Sequence, residues 1–452
     1  MSIIRQESLF DMQILYDLEP THRFNSILAD IDIHPILDVV MKKSHLGAPQ
    51  TLNYPAMIYS LIIRITEHIP FIKDLITRLR TDLRFKVDCG FLVSDEIPSE
   101  ASYSRMITLI SESNALDIVQ ERLLLLAINE GYVSNEIVAI DATHVEARDC
   151  APSKKEQLVK EPKKRGRKKK EEREQWLLEK AEEEADLPLY EKTIAAQLDV
   201  SLSELRSSVP IQPQWGVKKN SEGKNVFWYG FKCHLAVGAK SQYIVQSLFS
   251  SGSLNDGKAA IPLLKGIQER FSSLNIAYAT MDAGYDYVPI YEQVYRMGAQ
   301  SIIAYNKKNE PEPIGFDKHF APTCAREYSY RYDSYDAKHE TLKYTRPHEC
   351  NDCPLAHDSL CQKVYKMKIT KDLRRYTAPA RGSKKWNQLY KARSAVERVN
   401  AYLKGYFLLN QIYHCTGKKA KVHFDLVHIA YNASRLAMDR LRYTNLQEST
   451  AS

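Results

Sequence analysis

Trp386-Asn-Gln-Leu-Tyr-Lys-Ala-Arg-Ser-Ala-Val-Glu-Arg-Val-Asn-Ala-Tyr-Leu-Lys-Gly-Tyr-Phe-Leu-Leu-Asn-Gln411 reads as one helix. Within it Tyr390, Arg393, Glu397 and Lys404 follow the spacing Y-x2-R-x3-E-x6-K. At about 100° per residue they point near 0°, 300°, 340° and 320°. A face narrower than a quarter turn then carries a carboxylate, two cations and a phenol. On an isolated helix this would be a solvated face with an i, i+4 ion pair between Arg393 and Glu397. Two upstream aspartates turn the reading toward a site that grips a charged ligand.

Asp141 follows four apolar residues in Ile137-Val-Ala-Ile-Asp-Ala-Thr-His-Val-Glu-Ala147, the pattern of a buried strand that delivers an acid at its end. Asp282 repeats the pattern in Ile276-Ala-Tyr-Ala-Thr-Met-Asp-Ala-Gly-Tyr-Asp286, where Gly284 permits a tight turn. Between them Val226–Gly238 and Gln242–Ser250 read as strands and Asn255 to about Phe271 as a helix; another helix spans about Tyr287–Met297. Strand with Asp, two strands, helix, strand with Asp, helix, strand, insertion and helix with Glu is the order of a ribonuclease H-like domain. The expected fold class is α/β (α+β): this core, a helical N-terminal domain, a charged insertion after the first core strand and a cysteine-rich insertion before the last helix. Domain boundaries fall at 1–130 (helical), 131–150 and 211–320 (core), 151–210 (charged, flexible), 321–365 (cysteine-rich) and 366–452 (final core helix and C-terminal helix).

With these motifs the chain resembles the DDE transposases of bacterial insertion sequences, in the branch with the Y-R-E-K signature. Trp228-Tyr-Gly-Phe-Lys-Cys-His234 is similar to that family's G-Y-K-x-H strand, with Phe231 in place of Tyr, and Asp282-Ala-Gly-Tyr285 to its D-x-G-Y segment. The resemblance implies that Asp141, Asp282 and Glu397 are catalytic and hold Mg²⁺ or Mn²⁺. Hard cations take oxygen ligands, and a pair of them suits in-line phosphoryl displacement. It further implies that Tyr390, Arg393 and Lys404 hold a distorted DNA end through a hairpin step, with a flipped base on an aromatic platform for which Trp215, Trp228 and Trp386 are candidates. The partners implied are double-stranded DNA, as terminal inverted repeats and target, and a second copy of the chain in the DNA complex. The implied activity is cleavage at element ends followed by joining of the freed 3′-OH to target DNA. A repurposed, inactive DNA-binding descendant and a nuclease without strand transfer are the alternatives. Among competing acids, Glu146 lies on the strand beyond Asp141, Asp286 follows Asp282 by four residues, and Asp256 reads as a cap or first-turn acid. His144 and His234 read either as DNA contacts or as satisfied histidines beside a strand.

The chain has 452 residues, 44% hydrophobic, with a formal charge of +7 and a pI near 8.7, which suits nucleic-acid binding without requiring it. No apolar run approaches the roughly 18 residues of a membrane span, and Met1–Phe10 lacks a signal-peptide core. A cytoplasmic protein is therefore expected, and the resemblance implies a bacterial one associated with the nucleoid when bound to DNA. Of eight cysteines, Cys350, Cys353 and Cys361 cluster in a polar stretch, with Cys324 as a fourth candidate ligand. They read either as a structural Zn²⁺ site, with strands at Tyr328–Tyr332 and Glu340–Tyr344 between Cys324 and Cys350, or as a metal-free cluster. Lys160–Lys170 holds eight Lys or Arg in eleven residues around Arg165-Gly-Arg167. It reads either as an AT-hook for a narrow minor groove or as a basic linker with phosphate affinity only. Glu171–Asp186 reads as a charged helix. Helices are expected at Tyr54–Glu67, Phe71–Leu79, from Ser99 or Ser102, and at Leu116–Ile128; Arg78, Arg80 and Arg84 read either as a phosphate-facing patch or as solvated charges.

Overall fold

The computed structural model describes residues 12–451 apart from 42–50, 153–168, 170, 177–183, 185, 220–221, 309, 312 and 356–360. Its centre is a six-stranded mixed sheet. β1 (Glu136–Glu146) lies between antiparallel β3 (Asn225–Gly238) and parallel β5 (Ile276–Met281), and β6 (Gln300–Ile303) extends the parallel side. The long β3 pairs along its other edge with β2 (Gln214–Lys219) and β4 (Ile244–Ser251) in turn. The strand and helix order is the ribonuclease H-like one that the sequence predicts; β2 is the strand it does not. In β2, Val217 and Trp215 stay exposed and only Gly216 is buried, so no apolar run marks it.

Every residue of β4 is buried, because helices cover both of its faces. One is a 15-residue helix, Asp256–Arg270, capped by Asn255, whose side chain accepts from Gly257 N. The other is the 35-residue C-terminal helix, Gly417–Ala451. Polar residues of β4 are tolerated because each finds a partner. Gln246 accepts from Arg206 at 3.1 Å, and Ser247 meets His428 Nδ1 at 3.0 Å. Asn432, on the C-terminal helix, closes both backbone groups of Ile244.

The N-terminal region folds into eight helices among the described residues, of which those at Tyr54–Thr66, Ile72–Thr81, Glu100–Ser111 and Ala115–Asn129 are the ones that hydrophobic spacing predicts. The eight are α1 (Gln13–Tyr16), α2 (Pro20–Leu28), α3 (His34–Val40), α4 (Tyr54–Thr66), α5 (Ile72–Thr81), α6 (Leu83–Asp88), α7 (Glu100–Ser111) and α8 (Ala115–Asn129). Ser99 caps α7 through Ser102 N. α2, α4, α7 and α8 pack on the C-terminal helix, whose other side meets β4. Both halves therefore share one continuous hydrophobic core.

One expectation is corrected. Residues 151–210 are not wholly a flexible arm: Tyr190, Ile194, Leu198, Leu205 and Val209 are buried in the main core. Their apolar side chains outweigh the charge density of the preceding stretch. Two of the three arginines of the suggested phosphate patch have partners within the protein. Arg78 pairs with Glu67 at 3.1 Å and lies over Phe85, and Arg84 pairs with Glu19 and Thr21. The basic run with Arg165 and Arg167 lies outside the described residues, as does much of the charged helix after it.

The cysteine-rich insertion makes its own three-stranded antiparallel sheet, β7 (Arg331–Asp336), β8 (Thr341–Thr345) and β9 (Val364–Lys368). The first of these starts three residues later than the spacing predicts. A small core of Tyr330, Leu342, Tyr344 and Met367 supports it.

Candidate active site

β1 does not end at Asp141. It runs on to Glu146, so Asp141 sits at mid-strand and is only half-buried. The parallel register pairs Ala139 with Thr280. Two residues further on, Asp141 stands beside Asp282, where β5 stops. Asp282 turns the chain by accepting from Gly284 N at 2.8 Å. A Cβ at 284 would come within 2.9 Å of that carboxylate oxygen, so any larger residue there would make the Asp282 side chain shift. Burial pushes the Asp141 carboxyl up to about 6, and the charge of Asp282 adds to the rise; the Ala142 N–H, at 2.8 Å, and Arg393 oppose it.

The opening helix is two helices. Lys384–Lys391 ends near Tyr390, and Ser394–Tyr406 carries Glu397 and Lys404. Between them Ala392 N, Arg393 N, Ala395 N and Val396 N all donate three residues back. This tight winding turns the chain faster than an α-helix, so the single-face projection fails for Tyr390. Tertiary packing restores the cluster by another route. The second helix lies on β1 and β3. Arg393 pairs with Glu397 at 2.7 Å, and its guanidinium lies 5.8 Å from the Tyr390 ring centre. Burial raises the Tyr390 phenol, with Asp282 and Glu397 as nearby negative charges. Tyr390, Arg393, Glu397, Asp141 and Asp282 thus lie in one electrostatic neighbourhood. Lys404 points elsewhere, donating to His144 O at 3.0 Å.

That direction reveals residues the sequence reading passed over. Lys404, Lys218, Lys232 and His144 line a 180 Å³ notch that also contains Trp228 and Asp256. Lys218 Nζ is 3.1 Å from His144 Nδ1, and Lys232 pairs with Asp256 at 2.8 Å. Burial and the three lysines push His144 down to about 4, so the ring is neutral at pH 7. Alternation along β1 and β3 was the available signal, since Lys232 and His144 are paired in register. His234 is a buried core histidine bonded to Ser250. Asp286 is not a site acid: it is 1% exposed and gripped by Arg374. Of the tryptophans, Trp386 stacks on Tyr390 with centroids 5.0 Å apart; Trp215 and Trp228 have other neighbours.

Cys324, Cys350, Cys353 and Cys361 line one 260 Å³ cavity. Among the described residues, however, no group of three or more His, Cys, Asp or Glu side chains is arranged to hold a metal ion. At the cysteines, Arg326 approaches the Cys353 sulfur at 3.9 Å. At the carboxylates, Arg393 engages Glu397. The donor chemistry of Asp141 and Asp282 suits a hard divalent cation: two adjacent carboxylates, one of them with its pKa raised.

No described helix is long and apolar enough to cross a membrane. No curated protein matches the chain. Two family models do: "Transposase DDE domain" over residues 134–433, and "Transposase domain (DUF772)" over residues 13–109. Domains of the first kind generally use divalent metals and act on DNA. The first match spans the sheet, both aspartates and the Glu397 helix, and on that extent the chain belongs to the DDE transposase family.

Proposed function

We propose that the chain cuts the ends of an insertion sequence and joins the freed 3′-OH to target DNA, in the manner of the Y-R-E-K branch. The observation that carries this is the register that sets Asp141 beside Asp282 under the helix bearing Arg393 and Glu397. Asp141, Asp282 and Glu397 would hold Mg²⁺ or Mn²⁺, which supplies Lewis-acid stabilisation of the phosphoryl oxygens. Arg393 positions phosphate through its planar fork, Lys404 adds a point charge from the neighbouring notch, and Tyr390 with Trp386 offers an aromatic wall for an unpaired base. Two copies of the chain acting on paired ends belong to the same reading, as do Arg165 and Arg167 as contacts to DNA. The test is incubation with element-end DNA, target DNA and Mg²⁺: joined products support transposition, and cleavage without joining leaves a nuclease.

Arg393→Lys is expected to lower end cleavage about 100-fold, because the charge survives but the bidentate fork does not. Single-turnover assays check this; near-wild-type rates would remove Arg393 from the site. The shared cavity of the four cysteines supports a structural Zn²⁺, although the described residues hold no group arranged to coordinate one. Unchelated protein should then carry about one equivalent of zinc, lost on Cys350→Ser, and elemental analysis showing none ends that expectation.

A further inference from the structure

Arg64, on α4, is 3% exposed, yet its contacts are all with neutral groups. One terminal nitrogen donates to the Pro70 carbonyl at 2.7 Å, and the other lies 3.3 Å from His423 Nδ1. His423 Nε2 is 2.9 Å from Leu408 O and must donate to it, so Nδ1 is the bare acceptor and the ring carries no charge. Arg64 Nε has no partner, and no carboxylate lies within ion-pair distance of the guanidinium among the described residues. Burial lowers the Arg64 pKa only to about 10, so the cation persists at neutral pH. A buried charge without a counter-charge is costly and is normally paired.

Arg64 lines a 480 Å³ cavity at the seam between the N-terminal helices and the stretch 411–423 that enters the C-terminal helix, with Arg148 also on the lining. Lys73, Arg148 and Lys419 add positive charge to its lining, against the two carboxylates of Asp74 and Glu100. Phe71, 45% exposed, packs its ring 4.2 Å from that of Tyr413 on the same lining. Cations beside a bare aromatic pair are the furnishings of a nucleic-acid strand site. Arg148 follows β1, the strand that carries Asp141, so this cavity is tied to the catalytic sheet through a different set of residues.

We propose that this seam cavity is a DNA phosphate-binding pocket, in which a backbone phosphate supplies the counter-charge that Arg64 lacks. The choice of DNA over another anion rests on the transposase reading. The pocket would make DNA bridge the N-terminal helices and the stretch 411–423, through residues other than Asp141, Asp282 and Glu397.

Full-length protein is titrated with a mixed-sequence 30-base-pair duplex in EDTA across a range of NaCl concentrations, so that cleavage plays no part. Arg64→Met is expected to weaken binding roughly tenfold and to reduce the slope of log K against log salt by about 0.9, one phosphate's worth. Its melting temperature without DNA is measured alongside, because the exchange removes an uncompensated charge but leaves the Pro70 carbonyl and His423 Nδ1 without a donor. Unchanged affinity and slope overturn the proposal. So does a lower melting temperature with unchanged DNA binding, which makes Arg64 structural, or a change in oligomeric state alone, which points to a carboxylate from a second copy. Stabilisation of wild type by inorganic phosphate, with the duplex slope unaltered in the variant, assigns the pocket to a free anion and also overturns it. If Arg64→Met does not fold, Arg148→Ala and Lys419→Ala replace it; a slope unchanged in both overturns the proposal. Failure of end joining with these DNA contacts intact would instead count against the transposition chemistry.

Discussion

Asp141→Asn is expected to reduce strand cleavage by on the order of a thousandfold while DNA binding stays within about twofold of wild type. The exchange removes a charge at almost no cost in volume. Loss of a cation ligand at a phosphoryl-transfer centre forfeits several kcal/mol of transition-state stabilisation, and about 4 kcal/mol is a factor of a thousand. Asp282→Asn and Glu397→Gln should behave alike, and a variant that cleaves at a near-wild-type rate removes its residue from the centre. The same Asp141 variant has a second, opposite signature. The Asp141 carboxyl titrates at about 6 in the folded protein, against roughly 3.9 unfolded. Between those values the native state binds more protons, so stability falls as pH rises from about 4 to about 6, and the full deficit persists above 6. Asparagine carries no such deficit. The variant should melt higher than wild type at pH 7.5 without metal, and the difference should vanish near pH 4. A variant that is less stable at pH 7.5 would show that the Asp141 charge is compensated in the free protein.

Arg374→Met is expected to destabilise the protein by about 3–5 kcal/mol, the usual consequence of orphaning one member of a buried ion pair. Arg374 donates to both oxygens of Asp286, to Glu310 at 2.6 Å and to the Asn306 carbonyl, and it lies over the Tyr305 ring. Asp286 accepts further from Tyr291 and Asn306 N. Next to it, Arg381 ties Ile303 O and Tyr291 to the Arg374 carbonyl. This network joins the turn after Asp282 to the segment that leads into Trp386, so it holds the two parts of the candidate centre in register. Denaturant unfolding and end cleavage should fall together. Loss of cleavage with unchanged stability would instead make Arg374 a direct DNA contact.

The order of strands and helices was legible because each core element carries its own period. Ile137–Ile140 and Ile276–Met281 are apolar runs that end in acids, and Tyr54–Thr66 shows helical spacing that needs no partner to be read. Asp141 and Asp282 could be read as the acids that follow those runs, and Arg393 and Glu397 as an i, i+4 pair. What the tertiary structure alone decided is where neighbouring elements meet. Periodicity at about 100° per residue cannot register four backbone bonds that each reach back only three residues, so the break between the helix ending at Lys391 and the one starting at Ser394 was hidden. Composition treated residues 151–210 as one charged arm, whereas Tyr190 and Leu205 find a hydrophobic surface that exists only once the Asp256–Arg270 helix is docked. The Arg374–Asp286 pair and the bare charge of Arg64 are equally invisible in one dimension. Their partners lie 88 and 359 positions away along the chain, and burial, which sets the cost of each charge, is a property of the assembled core.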